Sequence, residues 1–157
     1  MIFFGDEGVV WVSQDCGHTI RALYQGQAIE RYEFHPTEPQ WGLASSIQPC
    51  KDTTPGCKVR RELFYTANLG NSWTKVAEYV EQFGWGMLDD EHIRMGIPKE
   101  RILVVSHSRG QGHQDFSGGW SGSLDLHQSD DLFESKPTLL VKHGNRFSLS
   151  SHFLYVA

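Results

Sequence analysis

The chain has 157 residues, 39% of them hydrophobic and 21% charged, the make-up of a soluble globular protein and not of a disordered one. A formal net charge of −5 with scattered Lys and Arg argues against a nucleic-acid footprint, and no basic helix suggests a membrane surface. No apolar run approaches the roughly 20 residues that cross a bilayer, and Met1-Ile2-Phe3-Phe4-Gly5-Asp6 is too short and uncharged at its start for a signal peptide.

Alternation and turn punctuation predict strands at 2–4, 9–13 and 19–24 that finish one sheet. The order then restarts. Strands at 29–35, 41–46, 62–66 and 73–79 make a four-stranded unit, 80–85, 102–106, 124–128 and 138–142 make another, and 145–149 with 153–156 begin a further one. Between them, His35-Pro36-Thr37-Glu38-Pro39-Gln40 is a proline-fixed turn, and the polar stretch 89–100 has room for one helical turn. Residues 109–123 hold five glycines and are expected to form a projecting loop, too flexible for a strand. The chain starts and stops inside strand patterns, so an internal piece of a longer protein is expected.

One eight-residue pattern recurs along this series. Ser13-Gln14-Asp15-Cys16-Gly17-His18-Thr19-Ile20 returns as Thr66-Ala67-Asn68-Leu69-Gly70-Asn71-Ser72-Trp73, and a worn copy opens with Ser129-Asp130-Asp131-Leu132-Phe133. Asp15, Asn68 and Asp131 stand 53 and 63 positions apart, close to the roughly 40 to 50 residues of common propeller blades plus inserted loop. The pattern is that of the Asp-box, a hairpin turn that marks successive blades in several propeller families. Asp15 and Asn68 are expected to accept hydrogen bonds from amides of their own turns, and Gly17 and Gly70 to occupy positions with φ above zero. Ile20 and Trp73 are expected to face the stack of sheets, and Cys16 to be a free, packed thiol. Phe133 stands where glycine belongs, so the third copy is expected to have a different turn or a longer loop.

The fold class is therefore all-β, a fragment of an Asp-box β-propeller. Residues 1–28 form the end of one blade, 29–79 a full blade, 80–143 a second, and 144–157 the start of the next. An acid whose lone pairs are taken by turn amides has little left for a substrate, so the box residues are assigned a structural role.

Other groups give weaker signals. Cys50 and Cys57 enclose a turn-rich loop where a disulfide would close a small ring at little strain and imply a secretory compartment. Two reduced surface thiols in a cytosolic protein are the other reading of that spacing. His107, His113 and His127 lack metal-ligand spacing, and no metal or cofactor is expected. The glycine runs at 110–115 and 119–123 miss the dinucleotide fingerprint and the nucleophile elbow. Sialidases also carry Asp-boxes, but none of the arginines sits in the Phe/Tyr-Arg-Ile-Pro context of those enzymes. Arg109 and Trp120 are the candidates for ligand contact, since Arg and aromatic side chains dominate binding energy at interfaces; a solvated insertion is the alternative.

Four features in order along the chain resemble the luminal domain of sortilin-type sorting receptors. They are Phe34-His35-Pro36-Thr37-Glu38-Pro39-Gln40-Trp41-Gly42-Leu43-Ala44-Ser45; the Cys50 and Cys57 loop running into the box at Asn68; Val80-Glu81-Gln82-Phe83-Gly84-Trp85; and Ser129-Asp130-Asp131-Leu132-Phe133 followed by Phe153-Leu154-Tyr155-Val156-Ala157. The resemblance implies a ten-bladed ring of which about three blades are present, and cysteine-rich modules, one membrane helix and a cytoplasmic tail elsewhere in the protein. It implies protein or peptide cargo in the Golgi or endosomal lumen, and no catalysis. Ile20, in place of an aromatic, and the worn third box are departures from the family pattern.

Overall fold

In the computed structural model, residues 2–6, 9–23, 28–49, 59–107, 113–114, 120–121 and 124–157 are described. All strand pairs are antiparallel. The first sheet holds β1 (Ile2–Phe4), β2 (Val10–Val12) and β3 (Arg21–Ala22). The second holds β4 (Ile29–Phe34), β5 (Gly42–Pro49), β6 (Val59–Thr66) and β7 (Thr74–Glu78), joined in sequence order. The third holds β8 (Val80–Trp85), β9 (Ile102–His107), β12 (Leu124–Ser129) and β13 (Thr138–Lys142), with the small pair β10 (His113–Gln114) and β11 (Trp120–Ser121) inserted between β9 and β12. β14 (Phe147–Leu149) and β15 (Leu154–Val156) form a last hairpin.

A strand buried on both faces reads as an unbroken apolar run and loses the alternation of a half-exposed strand, whereas β12 keeps that alternation. Ile102-Leu103-Val104-Val105 is the clearest case, with all four residues buried. Successive side chains of a strand point to opposite faces, so Ile102 and Val104 join Leu43, Leu63, Val80, Phe83 and Trp85 in a core between the second and third sheets. Leu103 and Val105 instead join Leu124 and Leu126, against Phe147 and Val156 of the last hairpin. One sheet earlier, Ala44 turns to Val10, Val12, Leu23 and Ile29 between the first and second sheets. The second and third sheets thus each serve as the floor of one core and the roof of the next, and each buried aliphatic side chain contributes roughly 1.5 to 3 kcal/mol.

Two details of the central sheets depart from the sequence-based ranges. β5 and β6 reach Pro49 and Val59, further than the apolar residues alone suggest, because the ladder continues through Gln48↔Arg60 and Pro49↔Val59. The stretch after β9 is not wholly loop: His113↔Ser121 and Gln114↔Trp120 pair within it. In the connection between β8 and β9 the helix α1 (Asp90–Arg94) starts at Asp89, whose Oδ1 accepts the amides of Glu91 at 2.9 Å and His92 at 3.4 Å.

Candidate functional site: the repeated turns and the joints between sheets

The three copies of the repeated pattern make one hydrogen-bonding arrangement. In the first, Asp15 Oδ1 accepts the Thr19 amide at 2.7 Å and the Ser13 hydroxyl at 3.0 Å, while Asp15 Oδ2 accepts the Thr19 hydroxyl at 2.7 Å. The Gly17 amide donates back to Ser13 Oγ at 2.7 Å. In the second, Asn68 Oδ1 accepts the Ser72 amide at 2.9 Å and the Thr66 hydroxyl at 3.0 Å, its Nδ2 donates to Ser72 Oγ at 2.8 Å, and the Gly70 amide donates to Thr66 Oγ1 at 2.8 Å.

The third copy corrects the expectation drawn from its missing glycine. Asp131 accepts the Ser129 hydroxyl at 2.8 Å and the Ser135 amide at 3.0 Å, and the Phe133 amide donates to Ser129 Oγ at 2.7 Å, as in the other two. Leu132 and Phe133 take φ of 58° and 66°, matching Cys16 and Gly17 at 57° and 98° and Leu69 and Gly70 at 53° and 78°. Phe133 therefore occupies the glycine conformation itself, and its ring packs against the core between the second and third sheets. Cys16, which adopts the other left-handed position, is exposed rather than packed.

Both oxygens of Asp15 and of Asp131 are engaged within their own turns. The Thr19 amide and hydroxyl hold the Asp15 carboxyl below the usual carboxylate range; the Ser135 and Ser129 side chains do so for Asp131. A carboxyl lowered in the folded state stabilises the fold above its unfolded value of 3.8, and that stabilisation is lost as pH falls through the folded value. Asn68 shows that an amide fills the same position. Asp15→Asn and Asp131→Asn are accordingly expected to leave stability at neutral pH nearly unchanged and to flatten its decline below pH 3.8, read by denaturant unfolding along a pH series. Thr66 is almost fully buried and is the partner of the buried Gly70 amide. Thr66→Val is expected to cost about 1 to 3 kcal/mol in the same assay by leaving that donor unpaired, and Thr66→Ser to retain most of the stability.

The second turn is also clamped from outside. Arg21 of β3 donates to the Leu69 carbonyl at 2.6 Å and to Asn71 Oδ1 at 2.7 Å, and the Leu69 amide donates to the Gln40 carbonyl at 2.8 Å. Trp73 packs on the core between the first and second sheets and its indole N–H donates to the Leu23 carbonyl at 3.4 Å. Ile20, its counterpart in the first copy, is 55% exposed and packs on no sheet among the described residues, contrary to expectation.

Polar ties join the first strands of neighbouring sheets. Arg61 binds Glu30 and donates to the Val80 carbonyl at 3.1 Å. The Gln82 amide takes the place of a ladder partner, donating to the Phe147 carbonyl at 2.8 Å and accepting its N–H at 2.9 Å. Glu33 Oε1 accepts the Trp85 amide at 3.3 Å, and burial raises the Glu33 carboxyl. Two buried histidines, His35 and His92, tie loops of one sheet to those of the next, Nε2 to the Lys99 carbonyl at 2.8 Å and to the Ser151 carbonyl at 2.7 Å. Sequence reading missed both, because their partners are backbone carbonyls some sixty residues away.

Arg109 and the Cys50 and Cys57 loop lie outside the described residues, and Trp120 lies in β11. His107 and His127 line an open crevice of about 670 Å³ with Lys75, Ser106 and Asp125, while His113 lies in β10. Among the described residues no group of three or more His, Cys, Asp or Glu is placed to hold a metal ion.

Antiparallel sheets connected in series and stacked through both faces, each entered from the one before, define a segment of a β-propeller-type, all-β protein. The family model described as "Sortilin, neurotensin receptor 3" matches residues 1–157, and the chain belongs to that family. It is similar to the "Vacuolar protein sorting/targeting protein 10" of Mycosarcoma maydis, at 28% identity over 118 residues. That match covers 71% of this chain and 8% of the relative, so the chain spans a small part of the length of the protein it resembles.

Proposed function

We propose that this chain is a luminal, cargo-binding segment of a sortilin-like receptor that sorts proteins from the Golgi to the endosome or vacuole. The observation that carries the reading is the family match along the whole chain. In this reading residues 1–28 end one blade, 29–79 and 80–143 are complete blades, and 144–157 open the next. The turns at Asp15, Asn68 and Asp131 are Asp-boxes that close hairpins. Ser13, Gly17, Thr66, Gly70, Trp73 and Ser129 belong to the same structural set.

A glycosidase function is the reading from another class, and the chemistry of the turns disfavours it: acids already saturated by their own amides are poor proton donors and nucleophiles. Cargo contact falls to loops, with Arg109 and Trp120 as candidates, and Cys50 and Cys57 form the disulfide of an oxidising lumen. Removing the gene from its host is expected to divert soluble hydrolases into the medium. Hydrolases retained at the normal level, or turnover of a fluorogenic sialoside by the purified protein, would overturn the proposal.

A further inference from the structure

The joint between the second and third sheets turns on one imidazole. His35 is buried, its Nδ1 facing two amides of its own loop, Thr37 at 3.1 Å and Glu38 at 2.9 Å. Amides only donate, so Nδ1 is the acceptor and carries no proton, and Nε2–H donates to the Lys99 carbonyl in the loop before β9. The ring is set edge-on between Trp85 of β8, at 4.4 Å between centroids, and Trp41, at 5.4 Å. The Thr37 hydroxyl lies farther off, 3.4 Å from the same nitrogen, so the two shorter amide contacts set Nδ1 as the acceptor and hold the ring in its neutral form.

We propose that His35 is an acid-sensitive latch: a proton from solvent added at Nδ1 would confront the Thr37 and Glu38 N–H groups with a third donor, expel the ring, and free the second sheet's loop from the third. The charged groups around the ring are few. Glu38 on its own loop pairs with Lys99 at 3.0 Å, and Lys99 and Glu100 stand on the opposing loop. Trp41 and Trp85 do not titrate, and the Tyr65 phenol beside them is pushed up by burial.

Burial lowers the His35 value from 6.5, with the Lys99 carbonyl and the Glu38 carboxylate opposing that shift. The sign follows from linkage. A ring kept neutral in the folded joint and free to protonate once released gives a contact that is complete above about pH 6.5 and weakens as pH falls below it. A single proton raises the opening equilibrium by up to about ten-fold per pH unit in that window. At the next joint His92 makes a similar pair of contacts, accepting the Leu88 amide at Nδ1 and reaching the Ser151 carbonyl through Nε2.

The test uses the full chain as wild type and as His35→Asn, whose Oδ1 keeps an acceptor for the two amides and cannot titrate. Urea unfolding from pH 7.5 to 5.5 is expected to show the wild-type unfolding constant rising more steeply than the variant's, by up to about ten-fold for each unit below pH 6.5; parallel curves would overturn the proposal. Should the variant not fold, imidazole resonances of the wild type decide it. The His35 ring is expected to keep its Nε2–H tautomer at pH 6.5 and to protonate only as the Thr37 and Glu38 amide signals are lost. Protonation with those amides unmoved would refute the latch.

Discussion

Trp85→Ala is expected to lower the unfolding free energy by about 4 kcal/mol. Trp85 is 3% exposed and belongs to the core between the second and third sheets, with Trp41, Tyr65 and His35 around its ring. Its indole N–H also donates to the Glu33 carbonyl across the joint at 3.4 Å. Alanine would leave a cavity that two stiff ladders cannot close, since neither sheet can shift without giving up strand pairing. Ile20→Ala, at an exposed position, is the comparison and is expected to change stability by no more than about 0.5 kcal/mol. Denaturant unfolding of both variants, with unchanged dependence on denaturant, measures the difference; equal values would mean that Trp85 does not hold the second and third sheets together.

Two glycines in equivalent turn positions are expected to respond very differently to alanine. Gly17 and Gly70 both have positive φ, 98° and 78°, a conformation that costs an L-residue roughly 1 to 2 kcal/mol. A Cβ on Gly17 meets nothing within 4 Å, so Gly17→Ala is expected to cost only that strain. On Gly70 it would stand 2.7 Å from Leu23 Cδ2 and 2.8 Å from the Leu23 carbonyl oxygen, inside the contact between the first and second sheets. A backbone atom cannot rotate away. Gly70→Ala therefore adds separation of the sheets to the strain and is expected to cost about 3 kcal/mol or more. Similar midpoints for the two variants in thermal unfolding would show that the second turn is not seated against the first sheet.

β9 was readable because burial on both faces demands apolar residues at consecutive positions, and Ile102-Leu103-Val104-Val105 satisfies that demand without help from context. The ends of β5 and β6 were not, since Gln48 and Arg60 pair through the backbone, which takes no notice of side-chain polarity. The third turn was misread for a related reason. Ser129 Oγ holds the Phe133 amide and Asp131 holds the Ser135 amide, so the turn is fixed by its polar residues and the phenylalanine tolerates a φ usually left to glycine. Trp73 has the first sheet to pack upon, whereas Ile20 has no counterpart before it among the described residues.

The acids of the turns were found from spacing because each side chain bonds within four residues of itself, where sequence and space coincide. His35 and His92 could not be found that way. Their partners are the carbonyls of Lys99 and Ser151, 64 and 59 positions away, and a carbonyl carries no signature in the residue that bears it. Gly42 is similar: the Tyr32 ring lies where its Cβ would be, which explains the glycine only once the strands are paired.

Residue-resolved amide exchange tests the central claim, that the repeated Asp and Asn side chains are consumed in closing hairpins within each of the stacked sheets. The amides of Thr19, Ser72 and Ser135 are expected to be protected like the neighbouring ladders, and each to lose protection when Asp15, Asn68 or Asp131 respectively is replaced by alanine. Exchange at unprotected rates in the wild type, or protection indifferent to those substitutions, would contradict it.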